Sequence, residues 1–267
     1  MSVRDVTTYE RLVESWTELS RSRSFSLRQV PCPGTDRALL LAEFGRPSAP
    51  VVHITAGVHG DEPAGPWALF SIVRDGLLDQ RFAYRVWPCT NPSGYVAGTR
   101  VNAEGNDVNR SFNVEAATPE SLAIMSTNAG SRFELSLDLH EDFEAVGFYC
   151  YEPIVDGSAP LSAAIIAALE AAGLPLQELD HHFDLGYPKD AVEAERFRRL
   201  EPGRVLVNAT AERRFPGLPL SLYLLRTATR RNVTLETPRT RAWGDRIAMH
   251  RIGVVAALAQ AIELRAN

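Results

Sequence analysis

The run PVVHIT (50–55) restricts the fold more than any other part of the chain. It is β-branched and almost wholly apolar, the pattern of a strand buried on both faces, and such strands belong to parallel sheets covered by helices. It leads straight into AGVHGDEPAGPWALF (56–70), a glycine-rich turn that becomes a helix near Pro63, where proline suits the first turn.

The same alternation runs along the rest of the chain. Residues 7–21 predict an amphipathic helix carrying Leu12, Val13, Trp16 and Leu19 at helical spacing. Extended runs follow at 24–30 and 37–44. FAYRVWP (82–88) predicts a strand ending at the turn signal NPSG, and FELSLDL (133–139) another of the buried kind. GFYCY (147–151) is a further strand candidate, LSAAIIAALEAAG (161–173) a helix closed by glycine, NVTLET (232–237) a late strand, and about 241–264 the last helix. Strands alternating with helices predict an α/β layered fold with a mainly parallel or mixed sheet. Sites in such sheets gather beyond the carboxyl ends of the strands. With no repeat and no Gly/Ser linker, the 267 residues are expected to form one domain, 1–267.

Composition removes several functions. The formal net charge of −5 gives no global reason to bind nucleic acid. Cys32, Cys89 and Cys150 lie too far apart for a CxxC knuckle and make no disulfide framework, which points to a reducing compartment. The first residues lack the apolar run of a signal peptide, and no uninterrupted apolar stretch approaches about 18 residues. A cytoplasmic chain without a membrane span is the expectation. No GxSxG, GxGxxG or Walker pattern occurs.

Chemistry-bearing residues stand where the strands end. His59 and Glu62, three apart, share one side of a turn after PVVHIT, which is half of a His₂Glu zinc set. Alone, HxxE is also what a solvated loop histidine and a dipole-favoured glutamate would give. His140 ends FELSLDL within DLHED, where it could be a further ligand or be held by Asp138, Glu141 or Asp142. Arg100, Asn109 and Arg110 lie in the loop after 82–88; guanidinium and amide groups suit carboxylates, and a solvated basic loop is the other reading. Glu236 ends NVTLE, where a carboxylate must be paired, solvated in a cleft or catalytic. His53 reads as a satisfied core residue, His181 and His182 as a polar loop, and His250 as surface.

Taken together, VHGDE (58–62), NPSGYVAGTR (91–100), NDVNRSF (106–112), DLHED (138–142) and TLETP (234–238) resemble the zinc metallocarboxypeptidase family, the carboxypeptidase A-like enzymes, and within it the short bacterial branch similar to murein peptide amidases. The resemblance implies a three-layer α/β/α sandwich around a mixed, mainly parallel twisted sheet. It implies one Zn²⁺ per chain on His59, Glu62 and His140 with a fourth position for water, Glu236 as general base, and Arg100 on the oxyanion. Asn109 and Arg110 would hold the terminal carboxylate of a small peptide, and Asp107 would accept a hydrogen bond from His59. The mobile tyrosine of digestive members has its nearest counterpart in Tyr223, whose apolar helical neighbours fit core packing as well. An alternative is an N-acyl amino acid deacylase similar to succinylglutamate desuccinylase or aspartoacylase, which shares these residues. A degenerate, non-enzymatic binding relative is a third, opposed by the presence of every expected ligand and base.

Overall fold

The computed structural model describes residues 7–154, 160–179, 198–208 and 217–266. Helix α1 (Tyr9–Arg23) opens on Thr8, whose side chain accepts from the Arg11 N–H, and it buries Leu12, Trp16 and Leu19. Strands β1 (Ser26–Val30), β2 (Leu39–Phe44) and β3 (Val51–Ala56) follow, then α2 (Ala64–Arg74), β4 (Ala83–Trp87) and α3 (Pro92–Ala97). A short 3₁₀ turn at Val108–Arg110 precedes α4 (Pro119–Asn128), β5 (Leu135–Asp142), β6 (Tyr149–Ile154) and α5 (Ser162–Ala171). Strands β7 (Arg198–Glu201) and β8 (Arg204–Asn208), helix α6 (Leu220–Thr227), strand β9 (Asn232–Pro238) and helix α7 (Trp243–Ala266) complete the order.

The described strands form one sheet in the order β1-β2-β4-β3-β5-β9-β6-β8-β7. Its centre, β4-β3-β5-β9, is parallel, and β1, β2 and β7 pair antiparallel at the edges. Period-two alternation decides which face each side chain serves. Val52, Ile54, Leu135, Leu137, Leu139, Val233 and Leu235 point to a core shared with α1, α2, α5 and α7. On the opposite face, α4 and α6 cover a second core around Trp87, Phe112 and Ile124. The result is the expected α/β/α sandwich.

The central strands carry a polar row on that second face: Ser136, Asp138 and His140 on β5, Asn232, Thr234 and Glu236 on β9. Parallel register sets His140 beside Glu236, and β6 runs back antiparallel to set Tyr149 beside Glu236 on its other side. Three strands thus deliver three chemistry-bearing residues to one line across the sheet.

One sequence expectation changes, and two elements had no expectation attached to them. His250 is not on the surface: it is fully buried on the inward side of α7, with Nε2 3.2 Å from Thr237 Oγ1. Pattern reading passed over α4, which is fixed by a capping box at Thr118 rather than by a long apolar stripe. It also passed over the β7–β8 hairpin, turned at Pro202-Gly203, with Gly203 at φ +66°. Helix α7 is long and apolar enough to cross a membrane, yet it packs on α2 and α5 and buries Met249, Val254, Ala257, Leu258 and Ala261 in the core. His181 and His182 lie outside the described residues.

His53 is satisfied, as expected. Asn128 Nδ2 donates to its Nε2 at 3.1 Å, so its Nδ1–H faces Ser136 Oγ at 3.2 Å. Burial pushes both His53 and His250 down from 6.5 to about 3. They stay neutral in the fold but take up a proton once unfolded. Each therefore favours unfolding as pH falls from about 6.5 towards 3, by up to about 1.4 kcal/mol per pH unit. Urea midpoints measured across this window should fall in the wild type and fall less steeply in His53→Gln; an unaltered slope in that variant would exclude His53 from acid destabilisation.

Candidate active site

The loop after β3 is shaped by its glycines. Gly57 takes φ +63°, and a Cβ on Gly60 would sit 1.9 Å from the Gly94 carbonyl carbon, so this loop lies directly on the start of α3. Glu62 N–H donates to the His59 carbonyl at 3.3 Å, closing a turn that sends both side chains the same way. Glu141, at the end of β5, accepts the Ala64 N–H at 2.7 Å and so holds the first residue of α2.

His59, Glu62 and His140 are buried, and one ligand atom from each lies within 4.8 Å of the others. His59 Nδ1 is 2.5 Å from Glu62 Oε1, His140 Nδ1 is 3.0 Å from Glu62 Oε2, and the Glu141 N–H donates to Oε2 at 3.0 Å. Behind His140, Nε2 lies 3.0 Å from Asp138 Oδ2, and Thr55 donates to Asp138 Oδ1 at 2.6 Å. Behind His59, Nε2 faces Asp107 Oδ1 at 3.4 Å. Both imidazoles thus turn Nδ1 to a common centre and Nε2 to a carboxylate, the arrangement that orients histidines on a metal.

Burial by itself raises the Glu62 carboxyl, but the two imidazoles outweigh it and hold the group far below the usual carboxylate range. Burial lowers His140, yet Asp138, Glu62 and Glu236 overcome that and raise it well above an ordinary histidine. A pocket that pulls a proton onto a buried imidazole is a pocket that favours a cation. With two nitrogens and one carboxylate, the donor set fits a divalent ion of the zinc type.

Glu236 stands half-buried beside His140, and burial first, then Glu62, Asp142 and Asp138, push its carboxyl well above the ordinary range. Arg100 is partly exposed. Its Nε and Nη2 bond Asp107 Oδ2 at 3.2 and 3.1 Å, and its Nη1 is 3.9 Å from Glu62 Oε1. The buried Asn109 accepts the Leu220 N–H on Oδ1 at 3.0 Å, which leaves Nδ2 as its donor towards the cleft. Arg110 donates to the Asn109 carbonyl at 2.9 Å. For Asp107, burial raises the carboxyl, while His59, Arg100 and Arg110 bring it well below its usual range.

One cleft of about 390 Å³ is lined by His59, Glu62, Arg100, Asn109, Arg110, His140 and Glu236, so these residues come together as expected. Tyr223 does not join them. Its ring stacks on Phe112 at 6.0 Å between centroids, while Ser221 and Leu222 of the same helix face the cleft. The aromatic beside Glu236 is Tyr149, whose hydroxyl donates to Asp142 Oδ2 at 2.6 Å. The reading from sequence assigned no role to Thr55, Tyr149 or Asn232; a polar residue interrupting an apolar strand was the available signal for Thr55.

A family profile described as the succinylglutamate desuccinylase/aspartoacylase catalytic domain matches residues 48–184, just over half of the chain. No curated protein sequence matches. Among solved structures, the chain is similar to a protein classed as a metallopeptidase from Shewanella amazonensis, at TM-score 0.75 and 21% identity over 95% of this chain and 93% of that one. It is similar to a metallo-carboxypeptidase from Burkholderia cenocepacia at TM-score 0.64 and 18% identity, covering 96% of this chain and 70% of that one. It is similar also to the carboxypeptidase A of Helicoverpa armigera at TM-score 0.62 and 18% identity, covering 97% and 72%. At these identities the likeness is one of fold.

Asp138→Asn should leave the fold intact by circular dichroism and lower zinc affinity about 10–100-fold in chelator competition. An unchanged affinity would show that Asp138 does not orient His140.

Proposed function

This chain belongs to the succinylglutamate desuccinylase/aspartoacylase catalytic-domain family and has the zinc carboxypeptidase-like fold; from that footing we propose that it is a zinc-dependent hydrolase that removes the terminal amino acid from a small peptide. The observation that carries the reading is one cleft that holds the His59–Glu62–His140 cluster, Glu236 in register beside His140, and the Asn109–Arg110 pair.

His59, Glu62 and His140 would hold the zinc. When bound, the ion supplies Lewis acidity, polarising the scissile carbonyl and easing deprotonation of water. Glu236 takes a proton from the attacking water and hands it to the leaving amine. Arg100, a fixed cation at the rim, offsets charge developing on the carbonyl oxygen. The Asn109 amide N–H and the Arg110 guanidinium bind the substrate's free carboxylate, which restricts cleavage to the chain end.

A second reading, an N-acyl amino acid deacylase, is favoured by the family profile itself. Both readings release an amino acid held by the same clamp and differ only on the acyl side of the bond. The cleft, about 390 Å³, has room for either acyl group. A panel of dipeptides, murein peptides and N-acyl amino acids separates them.

Chelation should abolish hydrolysis and added zinc restore it. Glu236→Gln should bind zinc as the wild type does and lose about 10²–10⁴-fold in kcat; retained activity would exclude Glu236 as the base. Arg110→Gln should raise KM about 10–100-fold with a smaller change in kcat, in keeping with a lost charge-assisted hydrogen bond. A fall in kcat alone would place Arg110 elsewhere in the reaction.

A further inference from the structure

We infer that the end of the cleft beyond Glu236 is a subsite for a neutral carboxamide side chain, recognised by Asn232. The inference rests on the hydrolase reading above and names the class of amino acid it releases, the glutamine type.

Asn232 is 1% exposed, and among the described residues neither its Oδ1 nor its Nδ2 has a hydrogen-bond partner. Native proteins seldom leave both polar atoms of a buried amide unmet. Its neighbours are engaged with one another. Ser136, its register partner on β5, faces His53 Nδ1 at 3.2 Å, and His53 Nε2 accepts from Asn128 at 3.1 Å. Alternation along β9 settles its direction: Val233 and Leu235 enter the helix-covered core, while Asn232, Thr234 and Glu236 line the cleft. An unmet donor and an unmet acceptor therefore sit side by side in the wall that holds the base.

The surrounding charge narrows the ligand. The strand residues that line this part of the cleft, Tyr149, Tyr151, Pro153, Val207 and Thr234, carry no formal charge. A carboxylate or ammonium bound among these described residues would lack a counter-charge and be costly to desolvate. An aliphatic side chain would leave the Asn232 amide unmet. A carboxamide presents a carbonyl and an N–H in mirror order and can pair with Asn232 through two hydrogen bonds. Asn232 lies four residues from Glu236, about 13 Å along the strand, which calls for a long side chain rather than a short one.

Binding of the free amino acid tests this without requiring turnover. In thermal-shift titrations of the zinc-loaded full chain, glutamine should raise Tm more than leucine, glutamate or lysine at equal concentration. Asn232→Leu should lose the glutamine response and respond to leucine. Asn232→Asp should transfer the preference to lysine, a gain that misfolding does not imitate. On matched substrates ending in glutamine or leucine, Asn232→Leu should cut the glutamine-to-leucine ratio of kcat/KM at least about 100-fold. Equal responses to glutamine and leucine in the wild type, or a glutamine response that survives Asn232→Leu, would overturn the assignment. So would an Asn232→Asp variant with the wild-type ranking, which decides the matter if Asn232→Leu does not fold. If no substrate is hydrolysed while the glutamine response follows residue 232, the subsite stands and the hydrolase reading fails.

Discussion

One buried carboxylate organises this molecule's active cleft. Glu62 is almost entirely withdrawn from water, and a charge so placed must be matched by donors or by a cation. It meets an imidazole nitrogen on each oxygen and a backbone N–H from Glu141. The partners arrive on two separate pieces of chain: His59 on the loop after β3, His140 and Glu141 at the end of β5. The carboxylate therefore ties the loop to the sheet, and the position of one helix start decides whether the cluster can close. Glu141 secures that start through the Ala64 N–H and is itself bonded to Arg246 of the last helix. Burial raises the Glu141 carboxyl to about 6 even with the guanidinium alongside, so this clamp is held in a dry environment where its contacts are strong.

The sheet explains why the ligands and the base share a site. On β5 and β9 one face is Leu, Val and core, and the other is Ser, Asp, His, Asn, Thr and Glu. A slip of one residue in either strand would exchange the faces, placing His140 or Glu236 in the apolar core and leaucine or valine in the cleft's wall. The hydrophobic pattern that stabilises the sandwich is thus the same pattern that aims the catalytic groups. Function and stability are set by one register.

Most of this was legible in residues. PVVHIT and FELSLDL announced buried parallel strands, and His59, Glu62, His140 and Glu236 announced themselves by standing at strand ends. Their convergence was not legible, because nothing local ties residue 62 to residue 140; only the parallel pairing of β3 with β5 does so. His250 was misread because Arg251 beside it suggested a solvent-facing stretch, whereas the helix turns the imidazole inward to Thr237. Tyr223 was the nearest tyrosine upstream of the base along the chain, but proximity along the chain is not proximity in the fold. Tyr149, 87 residues upstream, lies beside Glu236 because β6 and β9 pair antiparallel. Asn232 gave no signal at all in a single sequence, since an unmet amide exists only once its neighbours are in place.

X-ray absorption at the zinc edge on purified, zinc-loaded protein tests the central claim most directly. The account predicts one tightly held ion per chain with nitrogen and oxygen neighbours at about 2.0–2.2 Å and an imidazole scattering signature. Sulfur neighbours at about 2.3 Å, or the same spectrum after His140 is replaced by alanine, would contradict it.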